Sequence, residues 1–236
     1  MEPGIEPQES GNETTPVAQK IILLFLLVGY PLISILFNII DSGDTSEIES
    51  KILQIYLPTL CIQAFILGAV WLGIKKSGGD FSEMGLGKRD ISFSNILSGL
   101  IFFAGAFALM IIIKGSIARS GYLPETDFAY VLPSTPGEKT FWAILSISAA
   151  LFEEICFRGF IITRLKRIAG SYWIGALAGS LAFSLGHIYQ GPAGVFLTFI
   201  YGMLFAGLFI ARKSVFPCII AHFLQDIIIL FAAYNI

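Results

Sequence analysis

Charge is what this chain has least of: Asp, Glu, Lys and Arg make up 14% of its 236 residues, against 55% hydrophobic residues, and the net charge is −2. With a mean hydropathy of +0.77 the chain lies outside the range of ordinary soluble domains. The absence of a basic tail or stripe excludes a nucleic-acid-binding protein. Cysteine is equally sparse. Cys61, Cys156 and Cys218 sit in apolar runs with no Cys-x-x-Cys spacing, which excludes a zinc ribbon or a dithiol redox motif and leaves small core residues. A basic start is missing too: residues 1–19 carry Glu2, Glu6, Glu9 and Glu13 among Pro and Gly, unlike a secretory signal, and are expected to form a disordered acidic tail ahead of a single transmembrane domain, 20–236.

What is present is apolar sequence in long runs. Crossing about 30 Å of hydrocarbon takes roughly 20 helical residues, and such runs occur near 20–40, 52–74, 91–113, 140–163, 172–190, 193–211 and 214–233. They are continuously apolar rather than alternating, which excludes a membrane β-barrel and predicts an all-α, polytopic bundle of about seven transmembrane helices. Lys20, Lys75, Lys76, Lys88, Arg89, Arg164, Lys166, Arg167, Arg212 and Lys213 then fall on one face, and Lys51, Lys114, Arg119 and Lys139 on the other. The lysine and arginine bias predicts a cytoplasmic N-terminus and a C-terminus on the opposite side. The longest outer loop, about 114–139, contains Pro124, Pro133, Pro136 and Gly137, and reads equally as a lid or as a plain connector.

Arg158 is the basic residue that this partition does not use. It lies in the fourth run, Ala149-Ala150-Leu151-Phe152-Glu153-Glu154-Ile155-Cys156-Phe157-Arg158-Gly159, beside two acids. A charge at mid-membrane costs at least about 2.5 kcal/mol, so these groups must face protein or a water-filled cavity. Glu154 and Arg158, spaced i, i+4, can pair, which leaves Glu153 as the freer carboxylate and the candidate general base. An ion pair that merely fixes helix packing would account for Glu154 and Arg158 but not for Glu153. The chain's two histidines, His187 and His222, also lie in or at the end of apolar runs. His222 and Asp226 are again i, i+4, so Asp226 can accept from the imidazole and fix its tautomer. Phe183, one turn before His187, reads equally as core packing or as an aromatic wall. Gly159, Gly186, Gly191, Gly194, Gly202 and Gly207 are expected to let helices approach closely.

The ordered set Glu153-Glu154-x-x-x-Arg158, Phe183-x-x-x-His187 and His222-x-x-x-Asp226 resembles the CPBP family of intramembrane proteases, which includes the CAAX prenyl endopeptidases and bacteriocin-processing enzymes. The likeness covers about residues 140–230. It implies a site between the fourth, fifth and seventh helices, with Glu153 and His187 activating water for attack on a peptide carbonyl. Glu154 and Arg158 would organise the site, and His222 would lie on the oxyanion side. It also implies a membrane-associated peptide or protein substrate, possibly lipidated, and no cofactor. The family's last motif often ends in Asn, a donor, whereas ionised Asp226 only accepts; Asp226 is therefore expected to orient His222. At about 1.5 Å per residue these run boundaries set Glu153 about 15 Å, His222 about 12 Å and His187 about 22 Å from the basic face, which do not agree. Two alternatives stay open: a zinc peptidase built on the histidines and acids, though no His-Glu-x-x-His occurs, and a proton-coupled transporter or binding scaffold.

Overall fold

The computed structural model describes residues 15–40, 48–121 and 129–232. The expected acidic tail falls outside these residues as far as position 14, as does the 122–128 stretch of the expected outer loop. Seven helices of eight residues or more occur among the described residues, with no strand: α1 (Val17–Ile40), α2 (Ile52–Lys75), α3 (Phe93–Arg119), α4 (Pro136–Ala169), α5 (Tyr172–Leu185), α6 (Gly191–Arg212) and α7 (Phe216–Ala232). Five of them, α1 to α4 and α6 with its preceding turn, are long and apolar enough to cross a membrane. The other two, α5 and α7, are apolar but shorter, so the expected polytopic bundle of about seven helices is found, with two of the seven below the length expected of them. The outside of that bundle is apolar, with Phe37, Phe65, Ile101 and Ile112 all well exposed, as a surface against lipid requires.

Three helices depart furthest from the lengths expected of them, and α3 does so by running six residues past 113 to Arg119. α4 begins earlier and ends later than 140–163. Thr135 caps its first turn by accepting from the Glu138 N–H at 3.2 Å, while the Glu138 carboxylate accepts from the Thr135 and Ser134 N–H groups at 3.2 and 2.7 Å. Pro136 fits the first helical position of this capping box. The helix stops at Gly170, whose φ of 74° lies in the left-handed region. α5 is shorter than 172–190, because Gly186, Gly191 and Pro192 break the run: the chain leaves the helix at Leu185, makes a 3₁₀ turn over Ile188–Gln190 and re-enters a helix at Gly191. Hydropathy alone sees no interruption there.

The core gathers on the second half of α4. Phe152, Ile155, Cys156, Phe157, Phe160 and Ile161 are buried against α5, α7 and α2. Glycines permit the close crossings, though not all the expected ones. A Cβ on Gly202 would meet Ser180 at 2.9 Å and one on Gly186 would meet the Tyr30 ring at 2.4 Å, whereas one on Gly207 would meet nothing and one on Gly194 would meet the side chain of Gln190 in the preceding turn. Gly175, not singled out from sequence, meets backbone rather than side chain: its Cβ would lie 2.7 Å from the Ile162 Cα. Cys156 and Cys218 are core residues as expected, but Cys61 is exposed on the apolar surface.

One end of the bundle is closed by the segment between α2 and α3. Asp80 caps a short 3₁₀ turn, Phe81–Met84, and Met84 is fully buried. The Gly85 carbonyl accepts from the Val215 N–H and the Ser214 hydroxyl, both at 3.0 Å. Glu83 takes Arg164 at 3.0 Å and Arg167 at 3.1 Å, and Arg212 donates to Asn95 at 2.9 and 3.1 Å. On the first helix, Gln19 donates to the Gly73 carbonyl at 3.3 Å and to Ser77 at 3.0 Å. These contacts gather the basic residues of the longer roster above onto one face of the bundle.

Candidate active site

Glu153 and Glu154 are neighbours in sequence with different surroundings. Glu154 closes α4's regular part and opens eight residues of π-helical turn, Glu154–Ile161, a form that is uncommon and frequent at functional sites. Its side chain is fully buried, and one oxygen, Oε1, accepts from Arg158 Nη1 at 2.9 Å and bonds His222 Nδ1 at 2.7 Å. Glu153 lines a cavity instead, with Oε2 3.5 Å from His222 Nε2. The division expected from sequence, one acid paired with Arg158 and the other freer, is the one found.

His222 differs from its expected setting. Asp226 Oδ2 approaches His222 Nε2 only to 3.7 Å, beyond hydrogen-bond range, and the residue that holds the imidazole is Glu154. A carboxylate accepts, so Nδ1 carries the hydrogen and Nε2 is the atom beside Glu153 and Asp226. The tautomer is therefore set across helices, by a residue 68 positions away, because the one-turn pairing leaves Asp226 short of the ring. Asp226 is held through its backbone, whose carbonyl accepts from Trp142 Nε1 at 3.1 Å.

His187 stands in the break after α5. Its Nδ1 is 2.8 Å from the Phe183 carbonyl oxygen, so Nδ1 donates, and in the neutral ring Nε2 is an acceptor. The turn is pinned from α1, where the Ser34 hydroxyl donates to the Gly186 carbonyl at 2.7 Å. Phe183 lies between two of the site's cations or potential cations, with the Arg158 guanidinium 4.4 Å from its ring centre and the His187 ring 4.6 Å away. His187 makes no ion pair with a carboxylate among the described residues, so it and Glu153 share a cavity rather than a bond.

The depth conflict resolves with the observed boundaries. Counted from Ala169 at about 1.5 Å per residue, Glu153 lies at most about 24 Å from the basic face, and His187, counted from Tyr172, about 22 Å. α7 does not start at that face. A Cβ on Gly159 would touch Met84 at 3.0 Å and Val215 at 3.2 Å, so α7 begins about 15 Å inside and His222 reaches about 25 Å. The three groups are level because α4 is longer than its apolar run and α7 stands on the closing segment.

The cavity is large, about 1660 Å³, and mostly apolar. Glu153, Arg158, His187, His222 and Asp226 form its polar floor, and Glu154 supports that floor from behind. Sequence reasoning missed Tyr30, Gln63 and Tyr189 on its wall. Tyr30 packs against Phe152 and Phe157 at 6.3 and 5.6 Å, and Gln63 accepts from Ser148 at 2.7 Å. As polar groups within apolar runs, Tyr30 and Gln63 carried the same signal as the glutamates, more weakly. Among the described residues no three His, Cys, Asp or Glu side chains converge as a metal-holding set.

Residues 135–228 match the family model described as type II CAAX prenyl endopeptidase, Rce1-like. The match starts at the Thr135 cap of α4 and ends two residues after Asp226, so it takes in every residue of the polar floor. The resemblance carried by the three motifs is thus borne out. No curated protein and no solved structure matches the chain.

Proposed function

From a chain whose residues 135–228 are similar to the Rce1-like type II CAAX prenyl endopeptidases, we propose an intramembrane endopeptidase that uses Glu153 as its general base and no metal. The observation that carries this reading is the unequal use of the two acids: Glu154 is committed to Arg158 and His222, while Glu153 stands at the floor of the cavity. A water held between the Glu153 carboxylate and His187 Nε2 gives its proton to Glu153 as its oxygen attacks the peptide carbonyl. His222, protonated at Nε2, donates to the oxyanion. Glu153 then returns the proton to the departing amine nitrogen as the C–N bond breaks. Arg158 and Phe183 hold the floor rigid beneath these steps, and Asp226 contributes charge beside His222 at 3.7 Å.

The substrate in this reading is a membrane-associated peptide or protein, whose apolar flank, lipid or helix, is taken up by the apolar wall. The orientation places the basic face in the cytoplasm, with the N-terminus there and the C-terminus opposite. Arg164 is fully buried against Glu83 and no longer speaks to orientation, but the remaining bias is unchanged in sign. Purified protein cleaving a fluorogenic peptide, with activity lost in Glu153→Gln and indifferent to chelators, is the expected result. Chelator inhibition reversed by zinc, or proton transport in liposomes without cleavage, would overturn it.

A further inference from the structure

The cavity and the charge bias have opposite polarity. The lining begins in mid-helix with Phe25, Ile66, Arg158, Phe183 and Phe205, and runs to Lys114 and Ala118 at the end of α3 and to Tyr189, all exposed, with Gln54 and Gly194 at the starts of α2 and α6. Among the described residues none of it comes from the basic end. That end is shut by the segment carrying Met84 and Gly85, bonded to Ser214 and Val215 and braced by the Glu83 pairs with Arg164 and Arg167. The site therefore communicates with the face that holds Lys51, Lys114, Arg119 and Lys139, and is sealed from the face that holds Lys75, Lys76, Lys88, Arg89, Lys166, Arg167, Arg212 and Lys213.

We propose that this enzyme cuts substrates presented from the non-cytoplasmic side: peptide segments already moved across the membrane and still tethered to it by an apolar anchor, rather than cytosolic C-terminal tails. The inference rests on the peptidase reading above and on the rule that lysine and arginine stay on the cytoplasmic face. The cavity wall agrees with an anchored substrate. Ile33, Phe37, Ile62, Met110 and Leu145 offer an apolar flank continuous with the lipid-facing surface, and Phe37 and Ile62 are themselves well exposed. The polar floor lies at the far end of that wall, so a tether lodged along it brings its adjoining peptide down to Glu153.

Sidedness and catalysis are tested separately. In a Cys61→Ala background, Ala118→Cys and Lys76→Cys are each exposed to a bulky membrane-impermeant maleimide, in intact cells and in inverted vesicles. The expected pattern is labelling of Ala118→Cys in intact cells and of Lys76→Cys only in inverted vesicles, with cleavage of an anchored reporter blocked by the first label and spared by the second. Two reporters carrying the same scissile segment on opposite faces of one anchoring helix complete the test, and only the non-cytoplasmic segment should be cut. The reverse labelling pattern, or cleavage of the cytoplasmic segment alone, overturns the proposal. Failure of the peptidase reading looks different: no cleavage of any peptide in detergent by the wild type, or cleavage that survives Glu153→Gln, whichever face the cysteines report.

Discussion

Among the described residues two clusters join buried arginine to glutamate, and one of the two sits at a cavity. At the sealed end, Arg164 is fully buried and meets Glu83, itself a quarter exposed, at 3.0 Å, with Arg167 sharing the same oxygen. On the cavity floor, Arg158 meets Glu154 at 2.9 Å and both are buried. The two pairs are alike in geometry and differ in what lies beyond them. Past Glu83 lie the closing segment and solvent, whereas past Glu154 there are His222, a second acid and about 1660 Å³ of space. A buried ion pair by itself marks structure as readily as chemistry. A carboxylate left outside the buried arginine pair, 3.5 Å from a histidine and placed against space, is the better sign of a site.

The sharpest way to break this comparison is Glu153→Gln. The side chain keeps its shape and loses its basicity, so cleavage should fall by about 10²- to 10⁴-fold while the melting temperature in detergent stays near wild type. A variant that keeps most of its activity would make the two clusters equivalent and the cavity incidental. Glu154→Gln should lower both readouts: removing one partner of a buried pair costs about 3 to 5 kcal/mol, and His222 loses the acceptor that sets its tautomer. Activity per folded molecule should therefore drop, and not only the yield.

Much of the floor was legible in the sequence because its first contacts are local. Glu154 and Arg158 lie one turn apart on one helix, and spacing alone anticipates their 2.9 Å pair. Apolar runs located all seven helices, since burial in lipid requires continuous hydrophobicity. What spacing could not supply was everything joined across helices. His222 and Asp226 have the same i, i+4 relation as Glu154 and Arg158, yet the ring turns to Glu154 on another helix. The depth of His187 depended on where α5 stops and on α4 outlasting its apolar run by a basic turn, Arg164 to Ala169. Hydropathy sums over residues, and a Gly-Pro break or a capping box is invisible to it.

The closing segment shows the same limit. In the sequence, residues 80–92 are marked only by Lys88 and Arg89 between two apolar runs, and they contain the fully buried Met84, which helps set the level of α7 and so of His222. Glu83→Gln tests the sealed cluster against the catalytic one. It removes the carboxylate from a fully buried arginine, but Glu83 is partly solvated, so the cost should be about 1 to 3 kcal/mol. Thermal unfolding should come earlier while kcat of the folded protein is unchanged. A selective loss of kcat would tie the two clusters into one machine.

Asp226→Asn should have the smallest effect on catalysis. Asp226 lies 3.7 Å from His222 Nε2, too far for a hydrogen bond, and its backbone carbonyl, which receives Trp142, survives the change. An amide at this position also supplies the donor that a carboxylate lacks. Cleavage should stay within about tenfold of wild type, since an interaction beyond hydrogen-bond distance contributes modestly, with the change in kcat rather than in KM. A collapse as deep as that of Glu153→Gln would mean that Asp226 closes on His222 when substrate binds, and that the tautomer is set from its own helix after all.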